Sequence, residues 1–337
     1  MPPTLGPRAL AIARSVIYAS LFDYPLTLSQ LHQSLIESSQ TRAGILATYR
    51  SSELLRTLIE FRAGLFFPRG REVLLVERRL REARSRAFLA DHHRLLTLVC
   101  ALPYVRMVAL SGSIAHLNLE GHGDLDLFIV TRGRRVWSVT IAVVLLAKLM
   151  RRRRTVCANF VVSDSQLTLE QQDLFTANQV IHLKPLAGDR LFGELLSANP
   201  FVARFYPNFE RRDADAAPIT IDLPSGRVKA VLETLCKGPS LLAEFVCRHA
   251  YGAYLRGRAG SWRSPEQVRL QADCLKLHTR SHRHSILERF DRAVREAVDQ
   301  GVALMNACSS ENAGRLDQSG LTMAAPQSVG EAGSYKS

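Results

Sequence analysis

Residues 108–131 read VALSGSIAHLNLEGHGDLDLFIVT. An apolar strand over 105–110 runs into the turn Ser111-Gly112-Ser113. A short helix-like segment follows, and a polar loop carrying Gly121 and Gly123 leads to a second strand, 124–130, which opens with Asp124-Leu125-Asp126. Residues i and i+2 of a strand share a face, so Asp124 and Asp126 are expected to project together while Leu125 and Leu127 turn into a core. Paired carboxylates supply the oxygen ligands that Mg²⁺ or Mn²⁺ takes from a protein when it also holds substrate phosphates. A Gly-Ser turn ahead of a helix adds backbone N–H groups and hydroxyls for those phosphates.

The pattern is an apolar strand, Gly-Ser, about ten residues, and Asp-x-Asp on a following strand. Gly112, Ser113, Asp124 and Asp126 match it position by position. It resembles the signature of the DNA polymerase β-like nucleotidyltransferase superfamily, over residues 103–165. The resemblance implies an α/β (α+β) sheet of that type and a cofactor, Mg²⁺ or Mn²⁺. It also implies transfer of a nucleoside monophosphate from an NTP, ATP foremost, to an acceptor the sequence does not name. Asp124 and Asp126 would be the catalytic metal ligands, and Ser111, Gly112 and Ser113 would bind the nucleotide. The superfamily completes the site with a third carboxylate on a neighbouring strand. Here that strand, 155–162, reads TVCANFVV, and its central polar residue is Asn159. An amide oxygen can ligate a metal but cannot serve as a base at neutral pH. Asp164 lies at odd spacing from Asn159, on the opposite face of a regular strand. Lys184, in HLKPL, is a further candidate for the triphosphate as a point charge. The alternative is a catalytically weak or inactive nucleotide-binding regulator.

Composition sets the frame. The chain has 337 residues, 47% of them apolar, and a net charge of +13 carried mainly by arginine. Length and apolar content suit two or three domains with sizeable cores. The charge suits polyanionic partners, whether nucleotide, nucleic acid or acidic protein. The basic runs 78–86, 151–154 and 280–289 have no aromatic interleaving of the kind that binds single strands. The six cysteines show no C-x-x-C spacing, which points to buried free thiols in a reducing, cytoplasmic setting and to no structural zinc. His278 and His282 stand at i,i+4 without an H-E-x-x-H pattern and read as a solvated helix face. No P-loop, G-x-G-x-x-G or G-x-S-x-G fingerprint occurs. The segment 136–150 is apolar but shorter than the roughly 20 residues of a spanning helix. It reads as a buried crossover helix, so no membrane partner is expected. Residues 1–8 carry little charge and 9–21 are amphipathic rather than uniformly apolar, so no signal peptide is expected either.

Along the chain, 8–76 reads as a domain of three helices and a hairpin. The helices are 9–22, one capped by Thr27 or Ser29, and one starting at Ser51 or Ser52 and running through Phe61 after a polar linker over 38–44. Residues 64–76 read as two short strands. The order resembles a winged helix-turn-helix. The third helix, SSELLRTLIEFR, is poor in base-reading side chains, which favours a structural or protein contact over DNA. A linking helix over 77–102 then leads to the nucleotidyltransferase domain, 103–200. A helical domain over 201–308 follows as a cap over the nucleotide cleft, with a last long helix over 266–305. The tail, 309–337, lacks periodicity and is expected to be disordered.

Overall fold

The computed structural model describes residues 4–210, 219–221, 226–277 and 282–319. The fold is mixed α/β. Helix α1 (Pro7–Ser20) opens the chain with a proline in its first turn, where the missing N–H costs nothing. Strand β1 (Leu26–Thr27) leads into α2 (Leu28–Gln33), and α3 (Arg42–Ser51) and α4 (Glu53–Leu58) follow. Thr27 and Gln30 form a reciprocal capping box on α2, while Thr41 and Ser52 accept from the first turns of α3 and α4. Strands β2 (Ile59–Arg62) and β3 (Leu65–Pro68) complete a three-stranded antiparallel sheet in the order β1-β3-β2.

The hairpin lies several residues earlier than expected, and an extra helix, α3, occupies the end of the expected linker. The cause is Ala63-Gly64, whose φ values of 51° and 78° make the left-handed pair of a tight hairpin turn. The turn pairs the alternating Ile59-Glu60-Phe61-Arg62 with Leu65–Pro68 and so ends α4 at Leu58.

Helix α5 (Val73–Ala101) connects this unit to the central sheet. That sheet contains β4 (Val105–Ser111), β5 (Leu125–Thr131), β6 (Val156–Ser163), β7 (Lys184–Ala187), β8 (Val268–Leu270) and β9 (Cys274–Leu277), in the order β7-β4-β5-β6-β9-β8. Only β5 and β6 are parallel. Their connection is α7 (Val136–Leu149), after the short α6 (Gly112–Ala115); a parallel pair requires such a crossover. Leu110, Leu127 and Ile129 pack on one face with α5 and α7. Ala109, Phe128 and Val130 pack on the other with Leu191, Phe192 and Leu195 of α9 (Asp189–Ser197). Helix α8 (Leu174–Ile181) and α10 (Phe201–Phe205) join the core of the N-terminal unit.

Three strands, β7, β8 and β9, stand where the sequence suggested none. Lys184–Ala187 forms edge strand β7, a position that tolerates Pro185. Residues 266–277 form a short 3₁₀ turn and the β8–β9 hairpin rather than the start of a long helix. Val268 and Leu270 pair with Leu277 and Leu275 around a turn at Asp273, and β9 extends the sheet from β6.

Helices α11 (Gly226–Leu235) and α12 (Lys237–Gly257) follow the sheet's crossover, α12 lying against α7. The final helix, α13 (Arg283–Ser319), runs past the start of the expected tail. Instead of capping the sheet it returns to α1 and α4. Gly301 permits that approach, since a Cβ there would fall 2.5 Å from Leu58. Residues 320–337 and His278 lie outside the described residues.

Helix α7 has no side-chain cap of its own. Glu244, buried on α12, accepts from Trp137 N at 3.0 Å, Ser138 N at 2.8 Å and Ser138 Oγ at 2.6 Å. Glu244→Ala strands these buried donors and is expected to cost about 2 kcal/mol. Urea unfolding measures the loss, and Glu244→Gln should recover part of it.

Candidate functional site

The site begins in the β4–β5 register. Ser111 pairs with Asp126, next to the Leu110–Leu127 pair, so the turn after β4 is laid beside the Asp126 carboxylate. Gly112 adopts φ 63°, and a Cβ on it would lie 2.6 Å from Asp126 Oδ2. A residue with a side chain would meet both a strained backbone and the carboxylate. Strand β5 starts at Leu125, so Asp124 stands just before it, exposed, and Asp126 is half-buried.

The two carboxylates meet at Cys157, a residue the sequence reading had grouped with ordinary buried thiols. Cys157 pairs with Asp126 across the β5–β6 ladder, and its Sγ lies 3.9 Å from Asp124 Oδ2. Burial first, then the negative charges of Asp126 and Asp124, push its thiol up to about 11. A lone cysteine facing a carboxylate across a ladder needs the strand register to be seen.

Asn159 falls in a bulge. Asp126 pairs with Cys157 and Phe128 with Phe160, so two residues of β6 oppose one of β5. Asp164 is at the far end of the same strands. Its backbone N–H donates to Thr131 O and its Oδ1 accepts from Gly133 N at 2.8 Å, which holds the turn after β5. It is remote from the Asp124–Asp126 end. Lys184 pairs with Leu110 and so lies on the sheet face opposite Asp126. Ser111, Gly112, Asp124 and Asp126 are thus gathered at one strand end, and Lys184 is separated from them. Among the described residues no three His, Cys, Asp or Glu side chains converge as a metal cluster.

Two cavities adjoin the turn, and a third lies beyond it at His116. A small one, about 70 Å³, is lined by Ser111, Gly112, Asp126, Phe160 and Gln179. A second, about 250 Å³, lies between α1, α8 and the turn and includes Tyr18, Ser113, Asn118 and Phe175. In it the Tyr18 hydroxyl and Asn118 Oδ1 are buried without hydrogen-bond partners, and burial raises the Tyr18 phenol. The third, about 370 Å³, is basic, with Arg78, Arg86 and Lys184 on its wall. His116 and His182 border both of the larger cavities. Their rings are 4.0 Å apart, and Tyr24 packs edge-on to His116 at 5.2 Å. His182 Nδ1 lies 2.8 Å from Asn178 O, so it carries the hydrogen and donates. Burial holds His182 down at about 4, with Lys184 adding repulsion. Burial, His182, Lys184 and Arg78 hold His116 well below its ordinary range. Both rings are neutral at pH 7.

Comparison with family models, with curated proteins and with solved structures gave no match. The chemistry of the site therefore rests on its own geometry.

Two expectations follow. Gly112→Ala should cost about 1–2 kcal/mol through the left-handed backbone. By displacing the Asp126 carboxylate it should also lower the pH midpoint of Cys157 alkylation, followed peptide by peptide in a mass spectrometer. The histidine pair should make the fold acid-sensitive. The folded-state pKa values lie below the unfolded value of about 6.5, so the unfolded chain binds more protons as pH falls from 7 to 5. Stability then drops, by about 1–2 kcal/mol for His182, and in the same direction for His116. His182→Gln should flatten the slope of unfolding free energy against pH over that window; an unchanged slope contradicts the assignment.

Proposed function

We propose that this chain is a metal-dependent nucleotidyltransferase that moves a nucleoside monophosphate from an NTP, ATP foremost, to a small acceptor. The observation that carries the reading is the placement of Gly112 against Asp126, with Asp124 alongside. A carboxylate pair and a Gly-Ser turn at one strand end are what the resemblance to polymerase β-like nucleotidyltransferases requires. In this reading the central sheet is the nucleotidyltransferase sheet, and the N-terminal helices with the β2–β3 hairpin form a winged-helix-like unit.

Asp124 and Asp126 fit Mg²⁺ or Mn²⁺ as a site completed by water and substrate phosphates, because two carboxylates leave most ligand positions open. When bound, the metal neutralises phosphate charge and polarises the phosphoryl oxygens. Gly112 and Ser113 hold phosphate oxygens beside the carboxylates. The acceptor hydroxyl attacks the α-phosphorus, the bond to the β-phosphate oxygen breaks, pyrophosphate leaves, and the hydroxyl proton passes to solvent. The cavity of about 250 Å³ is of small-molecule size. Its unpartnered Tyr18 hydroxyl and Asn118 Oδ1 suit the polar groups of an acceptor.

A specific observation favours a second reading, nucleotide binding without turnover. The residue facing Asp126 from the next strand is Cys157, and Asp164 is committed to the turn at Gly133, so neither supplies a carboxylate base. The N-terminal unit would then carry the output, by contact with protein or DNA.

Pyrophosphate release from labelled ATP with Mg²⁺ separates the two. Turnover by the native chain, abolished in Asp124→Ala with Asp126→Ala at an unchanged melting temperature, supports the transferase. Calorimetric binding of Mg²⁺-ATP without pyrophosphate release supports the regulator. Full turnover by the double variant overturns the site.

A further inference from the structure

Helices α11 and α12 present an apolar surface to solvent that none of the described residues covers. Hydrogen bonds from Cys236 N to Leu232 O and from Ser240 N to Cys236 O carry the helical ladder across their junction. Val231, Leu235, Leu242 and Val246 follow one another at three- and four-residue multiples along it, with Phe245 beside them. All are exposed, Leu235 by 72%, Leu242 by 67% and Phe245 by 61%. Such spacing is one helix face, and it is the face turned away from α7. Ser240, Glu244, Gly252 and Leu255 are buried on the opposite side.

The charges sort with equal clarity. The carboxylates of the two helices point inward. Glu233 accepts from Tyr104 N and pairs with Arg132 at 2.6 Å, and Glu244 caps α7. The exposed charges of α12 are all cationic: Lys237, Arg248 and Arg256, with Arg258 at its end. Arg153, of the run 151–154, acts electrostatically on Tyr251, so that run borders the same helix. An exposed apolar stripe on a helix whose exposed charges are all cationic suits a lipid interface.

We propose that α11–α12 dock this protein on an anionic bilayer surface. A second copy of the chain is a poorer occupant, since a symmetric interface would set these cations against their own copies. A flat protein surface is also poorer, because exposed apolar side chains wrap from Leu241 to Tyr254 around much of the helix, and a headgroup layer can enclose them. Docking requires no spanning segment. Among the described residues no helix is long and apolar enough to cross a membrane, and the expectation of no membrane partner rested on that criterion alone.

The test is flotation of the full chain with vesicles of phosphatidylcholine containing about one-third phosphatidylglycerol, and with phosphatidylcholine alone. Binding to the anionic vesicles and little to the neutral ones is expected, weakening as salt rises. Leu242→Glu with Phe245→Glu should cut the bound fraction about tenfold or more while the melting temperature holds, both side chains being exposed. Three results would overturn the proposal. One is absence of binding to anionic vesicles. Another is equal binding by the double variant, which would assign it to cations elsewhere. The third is a dimer in analytical ultracentrifugation that the double variant dissolves, which would give the face to a second copy.

Discussion

The pairing of Ser111 with Asp126 is the constraint on which the candidate site depends. Once β4 and β5 adopt this register, the chain leaving β4 must turn within van der Waals reach of a carboxylate. Only a residue without a Cβ can make that turn at positive φ so close to Oδ2. Shifting the register by one residue would exchange the two faces. Asp126 would enter the core formed with α5 and α7, and Leu127 would take its place at the turn. The apolar residues that alternate with Asp126 along β5 therefore hold the carboxylate in position as surely as any contact it makes itself.

The central part of the fold was legible because its signals are local. Strands β4 and β5, the crossover α7 and the Thr27 cap each follow from alternation, helical spacing or a capping residue within a few positions. The parts that were not legible depend on partners distant in sequence. Cys274–Leu277 is a strand because it meets Val268–Leu270 on one side and β6 on the other; alone it is a short apolar run that suits a helix equally well. Lys184–Ala187 is a strand because β4 offers it an edge. At the site, Gly112 and the two aspartates could be picked out by motif. Cys157 could not, since its place opposite Asp126 follows from a bulged parallel ladder that no linear spacing encodes.

The region beyond Gly112 joins unlike electrostatic environments across one thin wall. The cavity holding Tyr18 and Asn118 has no lysine or arginine on its lining, whereas its neighbour carries Arg78, Arg86 and Lys184. His116, His182 and Tyr24 divide them, and the imidazoles stay uncharged because burial and nearby cations both oppose protonation. The first cavity carries instead the carboxylates of Asp23 and Glu120.

The return of α13 to α1 and α4 bears on how the chain reaches its folded state. Ile286 and Phe290 belong to the same core as Ile12, Val16 and Leu31, and Phe290 meets Tyr18 edge-on at 5.1 Å. The core of α1–α4 is thus complete only once residues 286–290 are in place. Strands β4–β7 lie within residues 105–187 and can pair before α13 exists, while β8 and β9 extend the sheet only with residues 268–277. Both the sheet and the N-terminal core are thus finished by the same late stretch of chain.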